Sequence, residues 1–334
     1  MKAVVYLGPG RMEVQDVPEP RPASGEVIIH TSASAICGSD LHGFRAASPR
    51  RIPPLIMGHE TVGTIVDVGD GVDPARVGTR VVLRPILSCG SCEACTAGRA
   101  NLCVEGRLVG RDLAGGFAER FAVPAAAAVE LGSDVPDDMA TLVEPIANAI
   151  HVTSRAVRNG DEVLVIGAGP LGVLMAAMSI DRGARRVFVT DRNPARLELA
   201  RAQGTVPVEV GRVEEALMDA APDVVIDAVG VEDTWRTSLR AVRAGGRIEV
   251  VGLGAPNGDV DFFGVIGKEA VITGSFACTD DEFAAAAALI TRAPIDTTGW
   301  FTRAPFAEAP RLFHELAYGM DLFKVVLTPD GSES

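Results

Sequence analysis

Through roughly the first 144 residues, apolar and polar positions alternate in short runs broken by glycine and proline: EVIIHTSAS, ETVGTIVDVG, VGTRVVL and FAERFAVP. Such runs, punctuated by turn residues, predict short strands in an irregular all-β domain. After Asn159-Gly160 the pattern changes. EVLVI is a continuous apolar run that predicts a buried strand, and GAGPLGVLMAAMSIDRGA behind it predicts a helix. RRVFVTD follows as a strand, then NPARLELARAQG as a helix with Pro194 near its start and Gly204 just beyond its end. DVVIDAVG, RIEVVGL and AVITGSF extend the strand series, with VEDTWRTSLRAVRAGG helical among them. Apolar strands alternating with helices predict an α/β domain built on a doubly wound parallel sheet, covered on both faces. AAAAALITRA, behind the acids Asp280, Asp281 and Glu282, predicts a packed helix with an acidic first turn. From residue 290 the pattern is mixed again and ends in the strand candidate FKVVLTP. The predicted organisation is therefore a β-rich domain over 1–144, completed by 290–334, around an α/β domain over 145–289.

A chain of 334 residues suits about two domains and buries a core large enough to dispense with disulfide staples. An apolar fraction of 47% against 22% charged residues places it among globular proteins rather than disordered or fibrous ones. The net charge of −13 argues against a nucleic acid or an anionic membrane as partner, since both repel such a field. MKAVVYLGPGRMEV reads as a strand and turn rather than a signal peptide, and no apolar run approaches the ~18 residues of a membrane span. The expected setting is reducing cytoplasm, where clustered cysteines point to metal more than to disulfides.

Three groups of residues carry chemistry. Gly167-Ala168-Gly169-Pro170-Leu171-Gly172 follows a predicted strand and opens a predicted helix, and Asp191 ends the next strand. In that context Gly167 permits the tight turn, Gly169 lets a pyrophosphate approach the backbone, and Gly172 allows the helix to pack closely on the strand. Asp191 would accept hydrogen bonds from ribose hydroxyls and repel a 2′-phosphate, which favours NAD over NADP. Arg192 and Arg196 pull the other way, because either can pair with a 2′-phosphate. Cys89, Cys92, Cys95 and Cys103 place four of six cysteines within fifteen residues. A metal site is the leading reading, with free thiols, a disulfide pair or an iron–sulfur cluster as the others. Cys37 and His59, with Glu60 adjacent, are residue types that zinc takes, although either taken singly is more often a core residue.

CGSDLH, GHE, the four-cysteine lobe, VEP and VLVIGAGPLG, in this order, resemble the zinc-dependent medium-chain dehydrogenases, with most likeness to the polyol (sorbitol) and threonine dehydrogenases. The likeness spans nearly the whole chain; VGTRV departs from it, with Thr79 where the family pattern has an acid. The resemblance implies a GroES-like catalytic domain carrying a structural-zinc lobe at about 88–104, a Rossmann domain, and an active-site cleft between them. It implies two zinc ions per chain. One is structural, held by Cys89, Cys92, Cys95 and Cys103, whose four thiolates leave no position open for substrate. The other is catalytic, held by Cys37, His59 and Glu144, with Glu60 as a ligand or an exchange partner. Ser39 and His42 would relay the substrate proton to solvent; the alternative is that Ser39 caps a helix and His42 lies on its surface. Val229, Val251, Gly252, Leu253, Ser275 and Phe276 would touch NAD at the strand ends, and Lys324 would reach its phosphates. The activity implied is reversible oxidation of a secondary alcohol of polyol, cyclitol or amino-alcohol type to a ketone, by a homodimer or homotetramer. A biosynthetic ketone reductase, or a non-catalytic zinc-binding structural protein, are the alternatives. Arg45, Arg50, Arg51, Arg84 and Arg111 are either surface charge or a recognition set for a phosphate or carboxylate on the substrate.

Overall fold

The structure, a computed structural model, describes residues 1–46, 51–218, 221–292, 295–319 and 322–329. The chain divides into two units, Met1–Glu144 with Thr279–Ser334, and Pro145–Cys278. The second crossing thus falls at Thr279, ahead of residue 290. The cause is local. Thr279 and Glu282 form a reciprocal cap, the Glu282 carboxylate accepting from the Thr279 amide at 2.8 Å and the Thr279 hydroxyl accepting from the Glu282 amide at 3.3 Å. The helix Asp280–Arg292 therefore starts at the crossing and buries Phe283, Ala286, Ala287 and Ile290.

In the first unit the strand Glu26–Ala35 is the spine of a seven-stranded sheet. It pairs antiparallel with Glu60–Val68, Arg120–Pro124 and the returning strand Lys324–Thr328. Its register sets Ala35 opposite both Glu60 and Val326. One end of the spine, the start of a second strand and the start of the returning strand therefore meet, and Cys37, Glu60 and Lys324 arrive at the same corner. The helix Gly38–Arg45 leaves from that corner and is held by a core in which Phe313 packs on Phe44 and edge-on against Phe117, with ring centroids 5.6 and 5.8 Å away.

The second unit is a six-stranded sheet, every neighbouring pair parallel. Its order is Val206–Glu209, Arg186–Asp191, Glu162–Ile166, Val224–Asp227, Arg247–Val250, Val271–Gly274. Numbered along the chain this is 3-2-1-4-5-6, the doubly wound order whose carboxyl ends form a binding edge. Val163, Leu164 and Val165 are wholly buried, as a strand covered on both faces requires. The outermost strand, Val271–Gly274, pairs on one side only and keeps Val271 and Ile272 exposed. The adjoining helix Phe262–Lys268 exposes Phe262, Ile266 and above all Phe263, at 90%. Among the described residues no helix is long and apolar enough to cross a membrane.

Candidate metal centres and nucleotide site

The four thiols of the cysteine lobe lie within 4.8 Å of one another. Sulfur separations are 3.9 Å for Cys89–Cys95, 3.5 Å for Cys92–Cys95 and 3.9 Å for Cys92–Cys103. A tetrahedral zinc with Zn–S bonds of about 2.3 Å spaces its sulfurs by about 3.8 Å, so the lobe fits that ion. None of the six cysteines is in a disulfide. Backbone amides of Ser91 and Cys92 lower the Cys89 thiol to about 6, whereas desolvation and neighbouring thiols push Cys95 up to about 11. Filling this lobe must therefore displace protons.

The second cluster brings Cys37, His59 and Glu60 together, again with ligand atoms within 4.8 Å. Sulfur, imidazole nitrogen and carboxylate oxygen form a donor set that zinc accepts. His59 is buried, and its Nδ1 stands 3.5 Å from Oδ1 of Asp40, which leaves Nε2 for a metal. Burial works against a charged His59, but Asp40 and Cys37 outweigh it and hold the imidazole well above its ordinary value. Asp40 is wholly buried; its other oxygen accepts the Cys37 amide at 3.3 Å, so Asp40 ties the helix start to the cluster. Ser39, half-buried, lies in the first turn of that helix, whose N-cap is Cys37, so Ser39 is not the cap. His42 is exposed one turn further on. Glu144 is buried but stands outside the group of three; its charge acts on Lys324.

Lys324 is buried within the first unit, where it pairs with the Glu60 carboxylate and donates to the Ile36 carbonyl at 3.3 Å. Burial pulls its basicity down, but Glu60, Cys37 and Glu144 raise it above the ordinary lysine value. The arginines are likewise engaged within the protein. Arg45 donates to the Leu316 carbonyl, Arg84 pairs with Asp280, and Arg111 pairs with Asp112 at 2.6 Å. Arg51 is buried against Ser39 and Asp40, while Arg50 lies outside the described residues.

In the second unit the glycine fingerprint joins the strand Glu162–Ile166 to the helix Pro170–Asp181, with Pro170 and Leu171 in its first turn. A Cβ on Gly172 would lie 1.9 Å from the Gly167 carbonyl oxygen, so the closeness of helix and turn demands glycine there. A Cβ on Gly169 would meet no protein atom within 4 Å, which leaves its backbone open to a phosphate. Asp191 accepts the Ala168 and Asn193 amides, each at 2.8 Å, which fixes its carboxylate beside the fingerprint. It opens on a groove of about 470 Å³ lined also by Arg192, Glu198, Arg201 and Glu209; Arg196 is not part of that lining. Glu198 and Glu209 were not singled out in the sequence, because their approach to Asp191 depends on how the third strand and the intervening helix pack. Asp227 is wholly buried and accepts the Val229 and Gly230 amides at 2.9 Å, shaping that strand end. Val229, Leu253 and Phe276 leave apolar surface exposed along the carboxyl edge, with Val251, Gly252 and Ser275 partly covered beside them.

Two family profiles match this chain: the alcohol dehydrogenase GroES-like domain over residues 23–133, and the zinc-binding dehydrogenases over residues 170–292. The L-threonine 3-dehydrogenase of Alteromonas mediterranea is 37% identical over 273 residues, 79% of this chain and 80% of that protein. An Escherichia coli protein described as a short chain alcohol dehydrogenase, solved with NADH, matches with a TM-score of 0.90 at 30% identity, over 98% of this chain and 99% of that one. A Sinorhizobium meliloti protein of the zinc-binding dehydrogenase type, bound to NADP, matches with a TM-score of 0.90 at 30% identity over the same shares.

Replacing Cys92 with serine should remove one zinc equivalent per chain, read by elemental analysis of the purified protein. An unchanged zinc content would show that the four thiols hold no metal.

Proposed function

We propose, for a chain that belongs to the zinc-dependent medium-chain dehydrogenases, reversible oxidation of a secondary alcohol to a ketone with hydride transfer to NAD. The observation that carries this reading is the convergence of Cys37, His59 and Glu60 in a chain that also folds a fingerprinted parallel sheet. When bound, zinc supplies Lewis acidity and NAD the hydride acceptor. Cys37, His59 and Glu60 would hold the metal, with Glu144 as the buried carboxylate that completes the set or exchanges with Glu60. Lys324 donates to Oε2 of Glu60, which restrains the carboxylate that would serve the metal. Asp40 behind His59 fixes the ring's orientation.

Oxidation removes a hydride and a proton, and the proton needs its own exit. Ser39 and His42 are three residues apart on one helix, hence on one face. Ser39 takes the hydroxyl proton as it passes its own outward, and His42, exposed, delivers it to water.

The carboxylates Asp191, Glu198 and Glu209 outnumber Arg192 and Arg201 around one groove, and Arg201 is already paired with Glu198, so the balance there favours NAD over a 2′-phosphate. Amino alcohols come first as substrates, given the threonine dehydrogenase at 37% identity, and neutral polyols and cyclitols second. Phosphorylated alcohols rank last, because Arg45, Arg51, Arg84 and Arg111 already have partners within the protein. The half-paired strand Val271–Gly274 and its exposed neighbours Phe262, Phe263 and Ile266 favour association with a second copy of this chain. A reducing cytoplasm suits a chain whose six cysteines form no disulfide.

With zinc-loaded enzyme and NAD, NADH absorbance should rise on L-threonine or a related amino alcohol, and more weakly with NADP. Silence across amino alcohols, polyols and cyclitols in both directions of reaction would overturn the reading. Ser39→Ala should lower kcat by about 10²–10⁴-fold while both zinc equivalents remain bound, and wild-type turnover would remove Ser39 from the proton path. In sedimentation velocity, Phe263→Glu should shift the protein toward monomer; an unchanged sedimentation coefficient would place the self-association surface elsewhere.

A further inference from the structure

Arg51 is 7% exposed, which is unusual for an arginine in a segment that reads from sequence as a surface loop. Its guanidinium makes contacts on two of its nitrogens. Nη1 is 3.2 Å from Oδ1 of Asp40, donates to the Gly110 carbonyl at 3.2 Å and touches Sδ of Met57 at 3.3 Å. Nη2 donates to the Ser39 carbonyl at 3.2 Å and reaches Ser39 Oγ at 3.4 Å. The same Oδ1 of Asp40 faces His59 Nδ1. One planar fork thus touches both the carboxylate behind the metal-binding histidine and the hydroxyl that starts the proton path.

The chain makes room for it. A Cβ on Gly43 would lie 2.2 Å from Arg51 Cδ and 2.5 Å from its Nε, so glycine in the middle of the helix Gly38–Arg45 opens the corridor for the arginine stem. Glycine inside a helix costs about 1 kcal/mol relative to alanine, and here the space it leaves is filled by the guanidinium stem. A lysine would carry the same charge but lacks the fork that spans two acceptor groups at once.

We propose that Arg51 is a positioning residue that fixes Asp40 and Ser39 relative to each other, so that the metal ligand His59 and the proton exit share one rigid support. The proposal rests on the dehydrogenase reading for the role of Ser39, and on geometry alone for Asp40. Charge alone does not satisfy it: the fixed geometry of the fork is what matters.

The test uses the full-length enzyme with cobalt replacing zinc, whose visible absorption reports the ligand geometry at the Cys37–His59 centre. Arg51→Lys and Arg51→Met should both shift those bands, with cobalt content and nucleotide affinity retained, and should lower kcat by about 10–100-fold. Gly43→Ala, which keeps the arginine but displaces its stem, should shift the bands in the same way and carries the test if Arg51→Met does not fold. Wild-type spectra and turnover in Arg51→Lys and Gly43→Ala would overturn the proposal, as would a lowered melting temperature with the spectrum intact. Should the unmodified enzyme turn over no alcohol, the dehydrogenase reading falls while the spectra still decide for or against Arg51.

Discussion

A charge can be buried only if another charge meets it, and the first unit is organised around that constraint. Asp40 and Glu60, buried at the end of the spine strand, meet the cations Arg51 and Lys324, and the charge of Glu144 also acts on Lys324. The cations come from opposite ends of the unit: Arg51 precedes the strand that begins at Glu60, and Lys324 opens the strand that returns from the end of the chain. The return of the tail to the first sheet is therefore part of the chemistry as well as of the packing.

The two clusters divide the work of metal binding by how completely each encloses its ion. Four thiols within 4.8 Å of one another would fill a tetrahedral shell and leave an ion nothing further to bind, whereas a set of three unlike donors would leave a position open. The parallel sheet makes a similar division. Its strands all end on one edge, so turns that differ in sequence, Gly167 to Gly172, Asp191 and Val229–Gly230, lie along one line without any of them having to be long.

Much of this was legible in the chain before any coordinates. Cysteine spacing, the fingerprint between strand and helix, and the order of the short motifs depend on residues near one another in sequence, and local patterns survive folding. What escaped depends on register and packing. The pairing of Lys324 with Glu60 is of this kind, since it follows from the register that sets Val326 and Glu60 opposite Ala35. Arg51 reads as loop charge because nothing in its neighbours announces that Gly43 has left a channel for it. Asp40 was the near miss: an acid in the first helical turn, three residues after a ligand, is where a histidine partner can sit, but only the fold brings His59 to it. The crossing at Thr279 was also readable, since a threonine followed three residues later by a glutamate is a cap signature.

The partnership of Lys324 with Glu60 spans 264 residues of chain. At ribosomal speeds of about 5–20 residues per second, roughly 13–50 seconds pass between synthesis of the two. The whole inserted unit is made in that interval, and among the described residues all six strands of its sheet come from within it. Until the tail is made, the spine of the first unit lacks one neighbour and Glu60 lacks its lysine. The first unit is thus the last to have all its strands synthesised, although it opens the sequence.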